Sequence, residues 1–252
     1  VRNSGSIGAW GGSWESYGIW MSGGRLENTA SGTIAAYSDS GLACGLHAEN
    51  AAVHNDGTIS GDYSNLVDVR LSGTGRFEGN LELADCTVAP GAGGVGTLTV
   101  TGDLGCGGAF AMEVEIGDGG YDQLDVGGSA TIRDAGAELT IIPVGYAAAG
   151  EYTFIAAESA EGTFASVTAP AVFDGAVRAG DGGFTLSLAR HSYSDFTDNA
   201  VLAPLARALD RVRPTADGGV AAMLDGFDTD PDGAAIRAAL PQLRPEINAS
   251  AS

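Results

Sequence analysis

The chain contains no lysine, and its 252 residues include only three cysteines, eight prolines and three histidines. No apolar run approaches the roughly 20 residues that a membrane-spanning helix requires. Each shortage closes a class of function. Twelve arginines carry all the positive side-chain charge against 32 acids, a net charge of −20 that repels a phosphate backbone or an anionic leaflet, so nucleic acid is excluded as a partner. Cys44, Cys86 and Cys106 are too few and too scattered for a disulfide framework or a zinc site, and the odd count leaves at least one thiol free or paired with another molecule. Little proline and no three-residue glycine period rule out collagen. The first residues, VRNSGSIGAW, show neither a Met start nor a signal peptide, and the expectation is a soluble fragment. What is abundant is glycine, 40 residues of it, in a chain whose 44% hydrophobic content is too high for global disorder. The length suffices for one large domain or two small ones with a substantial core.

The glycines belong to a repeat. Gly5, Ile7, Gly18, Ile19, Leu26 and Asn28 are matched in type and spacing by Gly32, Ile34, Gly45, Leu46, Val53 and Asn55. A third unit opens at Gly57 with Thr58 and Ile59 and then loses the register, although Val67, Val69 and Leu71 still alternate with Asp68 and Arg70. A period of about 25 residues is that of a stacked-repeat architecture. Each unit holds three short apolar clusters separated by Gly, Asn, Ser and Asp, which read as three strands and three corners. That pattern predicts an all-β fold, a right-handed parallel β-helix in which Asn3, Asn28 and Asn55 stack as a ladder. The alternative is an antiparallel β-sandwich with glycine-rich turns.

From Arg76 the texture changes to longer, strongly alternating segments, such as GTLTVTGDL and GEYTFIAAES, expected as hairpin-like or longer-armed coils reaching about Ser194. Beyond them Val201, Leu202, Leu205, Leu209 and Val212 fall on one helical face. Asp198 or Asn199 is placed to cap that helix, but Pro204 would then lie too deep, which predicts a later start or a kink. Shorter helical pieces follow near Val220–Leu224 and Ala234–Leu243. The expected organisation is β-helix over 1–104, a C-terminal β cap over 105–195 and a helical linker over 196–252.

With these residues in view the sequence resembles the C-terminal part of a bacterial autotransporter passenger. The marks are the GTI and VxN repeats, the Ala89-Pro90-Gly91 turn, the run from Gly96 to Leu104, YDQLDVGGSATI from Tyr121 to Ile132, and Gly150 to Ala157. NAVLAPLARALDRV and the closing AALPQLRPEINASAS look like the linker that precedes the outer-membrane barrel of that family. The resemblance implies a passenger segment exported through the periplasm and outer membrane of a Gram-negative bacterium to the surface or beyond. It also implies an autochaperone-like cap, and the chain's own barrel, absent here, as partner. The cap, rich in Leu, Ile, Val and Phe from Thr97 to Leu188, is expected to fold first and template the units before it.

No catalytic, cofactor or metal residue is assigned from the sequence, and the chain is expected to be non-catalytic. A surface adhesin meeting a host glycan or protein and a glycan-processing β-helical enzyme are the alternatives. Ser38 to Gly41 with His47 and His54 is superficially like a hydrolase set, yet the serine falls on a corner and the histidines align with Trp20 and Glu27. Asp68, Glu78, Glu82, Asp85, Glu113, Glu115, Asp122 and Asp125 alternate with apolar residues, as an outward strand face requires; an enzyme would need two of them to converge. Trp10, Trp14, Tyr17 and Trp20 either stack a sugar or are packed, and packing is the expectation. Asp228 to Gly233 has the opening of a Ca²⁺ loop, but Ala239 stands where the bidentate acid belongs, which favours a helix–helix turn. Cys86 and Cys106, about one unit apart, are either a disulfide or two small buried hydrophobes.

Overall fold

A computed structural model describes residues 1–12, 14–91 and 93–243. The last part of the linker-like sequence, 244–252, lies outside the described residues. The molecule is all-β apart from its C-terminal tail, and most strand pairs are parallel. Each strand lies beside its counterpart in the next unit, so residues of like type form columns. One column runs Ile7, Ile34, Ile59, Phe77, Val100 and Val126. A second runs Leu26, Val53, Leu71, Val88, Met112 and Leu139. The third runs Met21, Ala48, Leu66, Leu83, Cys106 and Ile132. All but the first-unit members Ile7 and Met21 are buried in one continuous apolar core. Each fully buried Leu, Ile, Val or Phe contributes about 1.5–3 kcal/mol. These registers exclude the antiparallel sandwich.

The asparagine ladder forms as the spacing predicts. Asn3 Nδ2 donates to Asn28 Oδ1 at 2.9 Å, and Asn28 Nδ2 to Asn55 Oδ1 at 2.8 Å. All three side chains are buried. The next position in register is Gly73, at φ +113°, where a Cβ would lie 2.1 Å from the Asn55 carbonyl oxygen, and the ladder stops there. A second corner repeats a left-handed backbone in register: Gly23 (φ 79°), Asn50 (50°), Asp68 (51°), Asp85 (54°) and Gly108 (65°). Gly, Asn and Asp are the residues that tolerate this conformation.

The lost register of the third unit is a shortening of the chain. Thr33 to Ala35 pair with Thr58 to Ser60, and pairing resumes at Cys44 opposite Tyr63. Residues 36–43 therefore stand opposite Gly61 and Asp62 alone, and the later pairs of this unit, such as Val53 with Leu71, carry the shorter spacing.

Beyond Arg76 pairing stays mostly parallel, against the hairpin-like alternative, but on shorter strands than expected. The strands Thr97–Val100, Leu104–Gly107, Gln123–Val126 and Ser129–Ile132 are short, and parallel pairing runs on to Thr168. Alternating polarity with glycine turns suits parallel stacking as well as a hairpin, which is why the pattern alone did not separate them. Among the described residues, antiparallel strand pairing occurs at the tight Gly117–Gly120 reversal and between Gly150–Glu161 and Phe173–Arg190. The latter strand covers one edge of the stack, and Phe164 sits at the centre of an aromatic cluster with Phe110, Phe154 and Phe184.

The tail contains helices α1 (Ala203–Val212), α2 (Gly218–Asp228) and α3 (Ala234–Ala239). Helix α1 starts late, with Pro204 in its first turn, where a missing N–H costs nothing. Asn199 caps the preceding turn, its Oδ1 accepting from the Val201 N–H. Of the expected apolar face, Leu202 is buried and Leu209 packs on the core, whereas Val201 and Val212 are exposed and Ala206 is buried instead. Among the described residues no helix is long and apolar enough to cross a membrane.

Candidate functional site: a charged cleft across successive units

Strand Ala111–Gly117 turns Met112, Val114 and Ile116 into the core, which forces Glu113 and Glu115 outward. On the strand Thr58–Gly73 the same alternation turns Arg70 outward between buried Val69 and Leu71. Arg70 reaches Glu113 with both guanidinium nitrogens at 2.7 Å. This fork holds the Glu113 carboxyl below its ordinary range and raises the Arg70 pKa.

Asp122 follows the Gly117–Gly120 reversal, and its side chain accepts N–H bonds from Gly96 at 2.8 Å and Glu115 at 3.0 Å. It is 1% exposed. Burial pushes its pKa up to about 6 against those two bonds, and the Glu115 charge adds to the rise. Glu115 Oε2 is itself buried with no hydrogen-bond partner among the described residues. His54 is held at both nitrogens, Nδ1 by Ser72 Oγ and Nε2 by Asp56, each at 2.9 Å. With Arg25, Ser72 and the Ala89-Pro90-Gly91 turn these groups line a cleft of about 390 Å³.

The structure thus brings together Glu113, Glu115, Asp122 and His54 from the sequence candidates and adds Arg70 and Arg25, which sequence reasoning missed. The other acids do not join them. Glu82 pairs with Arg133 at 2.7 Å and Glu78 with Arg76 at 3.4 Å. Asp68 and Asp85 occupy the left-handed corner, where Asp85 accepts from the Ala109 N–H, and Asp125 is exposed on its strand. Ser38 Oγ donates to the Gly12 and Trp14 carbonyls on its corner, and His47 pairs with Glu49, so no Ser–His couple forms between them. His47 does stand opposite Trp20, and His54 opposite Glu27.

The tryptophans correct the expectation of packing. Trp10, Trp14 and Trp20 are 74%, 82% and 66% exposed. With Ile7 and Ala9 on the inner side of one strand and Ile19 and Met21 on that of the next, alternation leaves Trp10 and Trp20 facing solvent. Trp10 lies against Tyr37 with ring centroids 5.8 Å apart, and Trp20 against Tyr17 at 5.2 Å.

The acids from Asp228 to Asp232 are engaged by groups of the chain itself. Asp228 closes α2 with its carboxylate fully buried, bonded by Arg190 Nη2 and Tyr193 Oη at 2.6 Å and Arg213 Nε at 2.7 Å. Arg213 also reaches Asp225 and the Gly145 carbonyl, tying the tail to the β body. Asp230 and Asp232 accept from the backbone N–H groups of Ala235 and Ala234 at the start of α3. Among the described residues no group of three or more His, Cys, Asp or Glu is placed to hold a metal ion. All three cysteines are free and buried; Cys106 fills a place in an apolar column, and Cys86 Sγ donates to the Leu66 and Ala84 carbonyls. The thiols of Cys44, raised to about 11, and of Cys86 and Cys106 are all shifted upward by burial.

Set against known proteins, the chain matches no family model, no curated protein and no solved structure. The autotransporter resemblance rests on its own residues.

Proposed function

We propose that the chain is a right-handed β-helical segment of an autotransporter passenger, a non-catalytic rigid stalk closed by a folding cap. Export would take it through the outer membrane of a Gram-negative bacterium with its own barrel as partner. The observation that carries this reading is the set of three apolar columns in parallel register, one of them reaching Leu139, followed by the antiparallel strand Phe173–Arg190 over the edge of the stack. A stack of repeats exposes an apolar cross-section and unpaired strand edges at its end, and a cap of this kind removes both. Hydrogen exchange at stepwise denaturant concentrations tests it: the amides of 97–188 should outlast those of 5–57, and the opposite order sinks the cap.

A second reading, a glycan-processing enzyme, is favoured by one observation, the convergence of Glu115 with a carboxyl, Asp122, that keeps its proton to about pH 6. A reducing-end assay over neutral and uronic polysaccharides tests it; activity lost in Asp122→Asn supports it, and no release from any of them removes it.

A further inference from the structure

We propose that the notch walled by Trp10 and Tyr37 is a binding subsite for one uncharged pyranose ring of a glycan. The site is separate from the charged cleft and stands or falls independently of the stalk and enzyme readings.

The notch is a product of the shortened third unit. Where residues 36–43 stand opposite Gly61 and Asp62 alone, the corner at Ser38 to Leu42 overhangs the unit below it. The step leaves a cavity of about 360 Å³ reaching from Trp10 across Tyr37 to Ser60 and Asp62. That volume lies within the range of small-ligand sites, about 300–1,000 Å³. Asp62 is fixed there, its Oδ2 accepting from the Ala43 N–H at 2.8 Å. Asp39 lies at the same corner, and its backbone N–H bonds to the Gly11 carbonyl.

The chemistry of the lining names the ligand class. Trp10 and Tyr37 are 74% and 52% exposed and tilted 32° to each other, leaving large apolar faces in water on adjacent strands. Contiguous exposed aromatic surface rimmed by polar groups marks a binding site more often than a stray exposed residue does. A pyranose matches such a rim: its axial C–H face covers aromatic carbon while its ring hydroxyls bond to carboxylates and a serine hydroxyl, here Asp39, Asp62 and Ser60. Charge excludes the acidic sugars, since two carboxylates line the notch on a chain of net charge −20.

Isothermal titration of the whole chain with lactose, cellotriose and diacetylchitobiose, with 3′-sialyllactose as the anionic comparison, tests the proposal. At least one neutral saccharide should bind with a Kd of about 1 mM, the range of a single weak subsite. Trp10→Ala and Tyr37→Ala should each weaken it at least about tenfold, and Trp20→Ala by less than about twofold, by analogy with hot-spot truncation. Because Trp10 and Tyr37 are exposed, unchanged melting temperatures would show that the variants fold. The proposal is overturned if no neutral saccharide binds at about 20 mM, if binding survives Trp10→Ala, or if 3′-sialyllactose binds as tightly. It is equally overturned if sedimentation shows self-association that Trp10→Ala abolishes while the sugars give no heat.

Discussion

Asn28 sits between two neighbours of its own kind, donating to Asn55 and accepting from Asn3 while also reaching the Gly32 and Thr58 carbonyls. Replacing it by alanine leaves a buried donor on Asn3 and a buried acceptor on Asn55 without their ladder partner. Each unsatisfied buried group costs about 1–3 kcal/mol, so Asn28→Ala, which leaves two, should lose about 2–6 kcal/mol in urea unfolding. Asp122 acts through protonation instead. Its folded pKa, about 6, stands above the roughly 3.9 of an unfolded aspartate. The folded state therefore holds the proton more tightly; the contribution is fully present below about pH 4 and is lost as pH rises through 6. The groups around it are Glu113, Glu115, Arg70, Arg25 and His54. Relative to Asp122→Asn, the wild-type chain should gain about 1–3 kcal/mol between pH 7 and pH 4, read as the difference between two urea series, and a flat difference would refute the shift. Of these two residues the sequence made one plain. Asn28 recurs at a fixed offset, whereas Asp122 was one acid among eight, and its burial depends on a reversal at Gly117–Gly120 that no periodicity announces.

At the scale of elements, periodic apolar positions were readable wherever they also recur in the next unit. Ile34 and Ile59, or Leu26 and Val53, pair in register because the in-phase offsets place them there. The third unit was illegible for a simple reason: the chain omits a corner excursion without disturbing the strands on either side, and a fixed-period comparison sees only the broken phase. Trp10 and Trp20 were misjudged because aromatic size argues for burial, while strand alternation, the stronger rule here, decides the face. The tail was legible as helix but not as a docked element. Asp228 looked like a loop acid, yet it gathers Arg190, Tyr193 and Arg213 into one buried group that fastens α2 to the end of the β body. Breaking a buried ion pair by removing one partner costs about 3–5 kcal/mol, because the remaining charges stay buried and unpaired. Asp228→Ala should therefore release the tail before the body unfolds. Limited trypsin digestion should then cut at Arg207 and Arg211 under conditions that leave the wild type intact, while the far-ultraviolet strand signal persists. Cleavage no faster than in the wild type would mean that the helices are held elsewhere.

For the whole molecule, stacking in register makes stability directional. Each unit touches chiefly its neighbours, so unfolding can begin at one end and spread, in contrast to the all-or-none loss of a compact domain. Beyond residue 97 the apolar columns are joined by an aromatic cluster, Phe110, Phe154 and Phe184 with the partly buried Phe164 between them, which adds packing at that end. The cysteines supply internal reporters along that direction. Cys44 lies in the early units, Cys86 and Cys106 in the middle of the stack, and burial keeps all three thiols protonated and inaccessible in the folded chain. At pH 8 iodoacetamide should leave them unlabelled without denaturant. As urea is raised Cys44 should react first, with Cys86 and Cys106 following only when the parallel strands around them begin to open, a sequence that mass spectrometry of the labelled peptides resolves. Simultaneous labelling of all three would mean that the stack unfolds as one cooperative block, and labelling of Cys106 ahead of Cys44 would place the weakest point toward the C-terminal side of the stack.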